Sequence, residues 1–303
     1  MELIQGTTDF QLYRDTAVAM GKFDGVHIGH RRLLDEILEQ RQKGLKSCVF
    51  TFDPAPAVLF GLSDGRELTT REEKRSIFER MGVDVLIEFP LNAETAAMEP
   101  ALFVREVLAE RLQADFIAAG EDVSFGKRGA GDRKLLQELA EPLGFEVKVV
   151  EKVCVDGVVV SSTYIREQIE QGNMELAEKL LGAPYTLSGT VVRGNRIGRT
   201  LGFPTVNIVP AASKLLPPSG VYFSRVLCEG KVYRAISNVG CKPTVSDENV
   251  MGVESYLYDF DRDVYDKEIE VELLSFRRPE RRFAGVEELK AQLQEDIAAG
   301  RNY

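Results

Sequence analysis

Two sequence grammars share this chain of 303 residues, and the change between them limits what it can fold into. Up to about residue 150, short apolar runs alternate with amphipathic helical patterns. The runs are Thr16–Gly21, Ser47–Phe52, Asp84–Phe89, Asp115–Ala119 and Glu146–Val150; helical patterns fall at about 30–43, 70–80, 99–112 and 132–142. That alternation predicts right-handed βαβ units and an α/β, Rossmann-like parallel sheet covered on both faces. Thr70, with Glu73 three residues later, predicts a capping box on the second helix. Beyond Tyr185, β-branched runs dominate: Tyr185–Val192, Val221–Cys228, Val232–Val239, Gly252–Asp259 and Ile269–Phe276. With turns at Glu229-Gly230 and over Asp261–Lys267, this spacing predicts a small antiparallel β-barrel. An amphipathic helix over about 285–299 should plug or flank it. Between the halves, Asp156-Gly157 marks a hairpin turn, and helical patterns cover Ser162–Gln171 and Met174–Leu181. Gly182 suits a helix C′ position and Pro184 follows it, so the boundary is expected near 183, giving domains 1–183 and 184–303.

Bulk properties exclude several classes. Hydrophobic content of 44% and charged content of 28% are ordinary for a globular protein. A formal net charge of −10 argues against a general nucleic-acid binder, which needs a broad basic field. Cys48, Cys154, Cys228 and Cys241 are scattered without paired spacing, which suits a reducing compartment. No apolar run approaches the roughly 18 to 20 residues of a membrane span. Met1-Glu-Leu-Ile-Gln5 lacks the basic and apolar regions of a signal peptide. A cytoplasmic location is expected, with no membrane partner.

Both histidines of the chain fall in Gly21-Lys-Phe-Asp-Gly-Val-His27-Ile-Gly29-His30, where the first strand should turn into the first helix. Free backbone N–H groups and the helix dipole make that place an anion site. Gly21, Gly25 and Gly29 let backbone approach a ligand. The residues by themselves favour a nucleotide phosphate met by two imidazole N–H donors; a metal pair or two satisfied core histidines stay open. A structural metal site needs further Cys or His at short spacing, and none lies nearby. Asp53, after the second run, falls at the same carboxyl edge of the sheet, where ligands of open α/β folds bind.

The histidine segment resembles the H-x-G-H signature of the nucleotidyltransferase superfamily. Its fuller form is similar to that of prokaryotic bifunctional riboflavin kinase/FMN adenylyltransferases, the FAD synthetase family. Thr51-Phe-Asp-Pro54, Gly120-Glu-Asp-Val-Ser-Phe-Gly126 and Ser161-Ser-Thr-Tyr-Ile-Arg166 agree in order. So do Gly198-Arg-Thr-Leu-Gly-Phe-Pro-Thr-Val-Asn207, Ser237-Asn-Val-Gly-Cys-Lys-Pro-Thr244 and Val253-Glu-Ser-Tyr-Leu-Tyr-Asp-Phe-Asp261. The resemblance covers nearly the whole chain. It implies a nucleotidyltransferase domain, then a riboflavin kinase barrel, with riboflavin, FMN and ATP as substrates and Mg²⁺ as cofactor.

It also implies residue roles. In the first domain, ATP would be bound by Gly21, Phe23, Asp24, Gly25, His27, His30, Ser162, Thr163 and Arg166, with the histidines catalytic. FMN would meet Asp53 and Asp122. In the second, ATP would be bound by Gly194, Arg199, Gly202, Pro204, Thr205 and Asn207. Thr205 and Asn207, two apart on an extended segment, offer two hard oxygens to one Mg²⁺. Glu254 would be the base that deprotonates the riboflavin hydroxyl. Gly189, Gly194, Gly198 and Gly202, interleaved with Arg193, Arg196 and Arg199, would form a flexible cationic flap over phosphates. Lys127, Arg128 and Arg133 form a basic loop that either screens FMN or pyrophosphate or is simply solvated. The protein is expected to be a monomer or weak homo-oligomer.

The chain departs from the family pattern twice. Ala55 stands where the family commonly has His after Asp-Pro, and Val123 stands where its loop has Phe. Two alternatives therefore stand beside the two-step enzyme: a riboflavin kinase with an impaired first domain, and a flavin-binding regulator without turnover.

Overall fold

The computed structural model describes residues 1–61, 64–194, 197–243, 249–301 and 303. For Ile197, Arg199, Lys242, Pro243, Asn249 and Val250 it describes the backbone only. The chain divides into two compact units, Met1–Ser162 and Thr163–Tyr303.

The first unit carries β1 (Glu2–Gln5), β2 (Thr16–Met20), β3 (Lys46–Asp53), β4 (Val85–Pro90), β5 (Ala114–Gly120) and β6 (Glu146–Val150). They form one parallel sheet in the order β1-β4-β3-β2-β5-β6. Every residue of β2 is buried, as expected of a central strand covered on both faces. Its side chains alternate between two cores. Val18 and Met20 join Phe50, Ile87, Phe89 and Phe103; Ala17 and Ala19 join Leu34, Ile37, Val49 and Ala118. The alanines are on the face where α1 (Ile28–Glu39) lies, and their small size lets that helix approach closely.

Residues 56–59, outside the expected helical patterns, form a short helix, α2 (Pro56–Leu59). The next helix, α3 (Arg71–Met81), begins at the expected capping box: Thr70 accepts the Glu73 N–H, and Glu73 accepts that of Thr70. The helix expected over 99–112 is not a uniform α-helix. After a single turn, α4 (Pro100–Leu102), the residues Phe103–Arg111 take wider π-type turns. Leu112 accordingly bonds five residues back, to Val107. Then come α5 (Arg133–Leu143) and the small hairpin β7 (Cys154–Val155) with β8 (Val158–Val159). Asp156 and Gly157 both have positive φ, as a two-residue hairpin loop requires.

The order of strands reverses at β2: the chain moves from it to β3 and β4 on one side, then returns to β5 on the other. Such a switch point opens a crevice at the carboxyl ends. The loops after β2 and β5 carry the histidine segment and Asp122, and Asp53 ends β3 at the same edge.

The second unit begins in α6 (Ser162–Glu170) and continues through α7 (Met174–Leu181), which ends in the expected Gly182 cap with φ of 74°. Packing of α7 on barrel strands places these helices with the second unit. The packing division thus precedes the boundary expected near 183. The barrel is closed by β9 (Tyr185–Val192), β10 (Val206–Ile208), β11 (Gly220–Cys228), β12 (Lys231–Pro243), β13 (Asn249–Leu257) and β14 (Glu268–Pro279). Their order is β10-β13-β12-β11-β14-β9, antiparallel throughout. The short α8 (Ile197–Thr200) precedes β10, and α9 (Val286–Gly300) ends the fold.

Candidate active sites

In the first unit the site starts from a loop held in strained backbone. Phe23, Gly25 and Val26 all have positive φ, of 50°, 85° and 41°. Two of these are not glycine, a cost of order 1–3 kcal/mol each that the surroundings must impose. The rings and methyls supply that force: Phe23 and Val26 are fully buried in the α1-side core, with Phe23 edge-on to Phe78 at 5.5 Å. Phe23, expected among the ATP contacts, gives its side chain to the core, where its ring also lies 5.2 Å from that of His30.

Polar bonds fix the remainder. Asp24 Oδ1 accepts the Leu68 N–H at 2.8 Å, and the Asp24 carbonyl accepts the Ser162 hydroxyl at 2.9 Å. The Gly25 N–H donates to the Thr69 hydroxyl at 3.0 Å. Leu68 and Thr69 were not singled out by sequence; no local motif announces a loop that ties to another 44 residues away.

His27 is the N-cap of α1. Its Nδ1 accepts the His30 N–H at 3.3 Å, and the two rings stack at 3.6 Å with 16° between planes. Burial pushes the His27 pKa down to about 4, partly offset by the negative charge of Asp24. His30 is held well below the ordinary value by burial and by the neighbouring His27. Both rings are neutral near pH 7, and His27, with Nδ1 engaged, carries its proton on Nε2. Among the described residues, Nδ1 of His30 is buried and has no partner. An unpaired buried nitrogen beside a helix start is the kind of group a ligand satisfies.

Asp53 pairs with Arg71 at 2.5 Å, and Asp122 with Lys152 at 3.0 Å. Ser162, Thr163 and Arg166 open α6, and the Ser162 hydroxyl ties to the histidine loop through the Asp24 carbonyl. Ala55 occupies the N-cap of α2 and supplies no capping bond. Val123 packs against the core under the sheet. Of the basic loop, Lys127 pairs with Glu99 at 2.9 Å and Arg133 with Glu121 at 3.4 Å, while Arg128 is exposed.

In the barrel, three polar side chains form a row across neighbouring strands. Glu254 on β13 is opposite Asn207 of β10 on one side and Asn238 of β12 on the other. Directly paired residues share a face. Thr205, two before Asn207, donates its hydroxyl to Glu254 Oε1 at 2.5 Å. That leaves the Thr205 oxygen lone pairs for another partner.

Two hollows adjoin the row, and Thr205 lines both. One, of about 620 Å³, is walled by Phe203, Glu254, Tyr256, Phe283, Leu293 and Ile297 among others. The second, of about 450 Å³, is lined by Gly194, Pro204, Asn207, Phe260, Arg262 and Tyr265 among others. A Cβ on Gly194 would stand 2.9 Å from the Asn207 side chain, so glycine is what lets the loop reach that residue. The expected flap needs correction. Gly189 belongs to strand β9, and Ile197–Thr200 is a helical turn rather than open loop, with Gly202 beyond it at φ of 91°. Arg193 stacks over Tyr265 at 5.4 Å. Arg196 and the side chain of Arg199 lie outside the described residues.

The site suits a hard cation poorly if carboxylates alone count: among the described residues no group of three His, Cys, Asp or Glu side chains could hold a metal. The hydroxyl of Thr205 and the amide oxygen of Asn207 fit Mg²⁺ instead. That ion takes oxygen ligands, keeps waters and completes its shell with substrate phosphates.

A parallel nucleotide-binding sheet followed by a closed six-stranded barrel with a polar triad defines a two-unit nucleotide-dependent transferase. Comparison with known proteins makes this particular. Residues 9–164 match the FAD synthetase family and residues 181–303 the riboflavin kinase family. The chain belongs to the bifunctional riboflavin kinase/FMN adenylyltransferase family. It is 38% identical to such a protein from Listeria monocytogenes over 96% of this chain and 93% of that one. The relative from Escherichia coli K12 is 36% identical, over 100% and 98%. The crystal structure of a macrolide-efflux protein from Streptococcus pneumoniae superposes with a TM-score of 0.88 at 30% identity, covering 99% of this chain and 98% of that one. Among the described residues no helix is long and apolar enough to cross a membrane.

Proposed function

We propose that the barrel phosphorylates riboflavin to FMN and that the α/β unit adenylates FMN to FAD, each step using ATP. The observation that carries this reading is the pairing of the Thr205–Glu254 contact with hollows that meet at Thr205. Riboflavin in the larger, apolar hollow and ATP in the smaller one would meet at Glu254. Glu254 takes the proton of the 5′-hydroxyl, the hydroxyl oxygen attacks the γ-phosphorus, and ADP leaves. Thr205 orients the carboxylate. Asn207 and Thr205 hold Mg²⁺ when it is bound, and the ion neutralises phosphate charge. Pro204, Gly194, Gly202 and Arg199 belong to the ATP side.

In the α/β unit a phosphate oxygen of FMN attacks the α-phosphorus of ATP, and pyrophosphate leaves. No covalent enzyme intermediate is needed, so catalysis rests on alignment and charge stabilisation. His27 and His30 hold the triphosphate at the α1 N-terminus. Gly21, Asp24 and Gly25 shape the loop, and Ser162, Thr163 and Arg166 add donors. Asp53 and Asp122 flank the FMN end. The activities are assigned to 1–183 and 184–303; the break between the two family matches supports that division. The working protein is a cytoplasmic monomer or weak homo-oligomer whose partners are its small-molecule substrates.

Ala55 favours one rival, a kinase with a weakened first unit, since α2 begins without a side-chain cap. Chromatography of purified protein with MgATP and either riboflavin or FMN separates the readings. FMN and then FAD are expected. FMN without FAD from either substrate would leave the kinase alone, and flavin binding with no ATP consumed would leave a regulator.

A further inference from the structure

The row that carries Glu254 does not end at Asn238. The side chain of Asn238 donates from Nδ2 to Glu280 Oε1 at 2.8 Å. Glu280 reaches that position over Gly240, where a Cβ would stand 2.0 Å from the same carboxylate oxygen. Backbone without a side chain is thus what lets the carboxylate dock. Asn238, Glu254 and Glu280 all line the 620 Å³ hollow, whose other walls are mainly aromatic and aliphatic. The carboxylate accepts only, so it fixes which end of the amide points at it. Among the described residues nothing donates to the other end, Asn238 Oδ1.

On this basis we infer that Asn238, oriented by Glu280, reads the hydroxyls of the flavin side chain next to the reacting one. The inference rests on the reading of this hollow as the riboflavin site. Position selects the hydroxylated chain over the ring system. Glu254 must meet the terminal hydroxyl, and Asn238 is its direct neighbour across the sheet. The polyol is the part of riboflavin continuous with that hydroxyl. A polar group poised for a substrate hydroxyl rejects an analogue lacking it, because the protein group is then left unpaired. Asn238 is accordingly a specificity-determining residue and Glu280 a positioning residue.

The test compares riboflavin with a flavin bearing a plain 5-hydroxypentyl chain, which keeps the reacting hydroxyl and lacks the other three. kcat/KM for phosphorylation is measured for both, and the ratio is taken within each preparation, so that loss of folded protein cancels. The unaltered protein should prefer riboflavin by about a hundredfold or more. Asn238→Ala should cut that preference at least about tenfold, Glu280→Ala should cut it by less, and Glu280→Gln, which keeps an acceptor oxygen, should restore most of it. Unchanged ratios in both alanine variants overturn the inference. Failure of the unaltered protein to phosphorylate either flavin overturns instead the reading of the hollow on which it rests.

Discussion

His27 gives its Nδ1 to the backbone of α1, and that bond decides what the ring can do. Protonating the ring would break the cap and place a charge 3.6 Å from the His30 ring. The folded pKa of about 4 lies below the ordinary 6.5, so protons bind more readily to the unfolded chain. Stability from this group is complete above pH 6.5 and falls as pH drops from there towards 4, by about 1.4 kcal/mol per pH unit. Urea unfolding at pH 7 and pH 5 should show the loss. His27→Asn keeps a capping acceptor and removes the titration, so its two midpoints should lie closer together. An equal pH slope in that variant would rule out His27 as the source. Gly29 is coupled to the same ring, since a Cβ there would stand 3.1 Å from His27 Cε1. Gly29→Ala should lower adenylation of FMN by about tenfold or more through displacement of the ring, with phosphorylation of riboflavin unaffected. At the other site, Glu254→Gln should reduce FMN formation by roughly 10²–10⁴-fold, the usual contribution of a positioned base. FAD formation from supplied FMN should persist, and loss of both in a folded protein would refute the division of labour.

Helix α9 shows how one element completes a cavity. Leu289, Leu293 and Ile297, spaced by four, present one stripe to the larger hollow. Asp296, 1% exposed, accepts three hydrogen bonds from Arg278 on β14, the closest at 2.6 Å, and Tyr258 donates to the Ile297 carbonyl at 2.6 Å. Gly300 passes Tyr258 so closely that a Cβ would come within 2.6 Å of its hydroxyl oxygen. Removing one partner of a buried ion pair strands the other, at a cost of about 3–5 kcal/mol. Asp296→Ala should therefore destabilise the barrel and raise the riboflavin KM through loosening of α9. A calorimetric shift with unchanged KM would separate the pair from the cavity.

At the level of the whole molecule, each unit has its own hydrophobic core, and each proposed activity makes its own use of ATP. Ligands that bind one folded unit should stabilise that unit by mass action, about 2.7 kcal/mol at a hundred times Kd. Scanning calorimetry should show two unfolding transitions, with riboflavin raising one and leaving the other in place. A single transition raised as a whole by riboflavin would contradict separately folding units.

Sequence by itself determined the two architectures, because hydrophobic periodicity of 3.6 or 2 records which face of each element meets a core. It also determined the histidine loop, whose glycines, apolar pegs and imidazoles are contiguous, and the strand that carries Glu254. Short or atypical elements escaped it. Strand β1 is largely exposed and gains its place by pairing with β4 rather than by apolar pattern. Strand β10 has three residues, too few for a period to register. The wide turns of Phe103–Arg111 keep helix-like spacing while changing the bond pattern. Only the tertiary structure decided that Phe23 points into the core, that Asn238 stands beside Glu254, and that α9 walls the larger hollow. Each of these depends on contacts between residues far apart in the chain, where strand register and close packing, not local pattern, choose the partners.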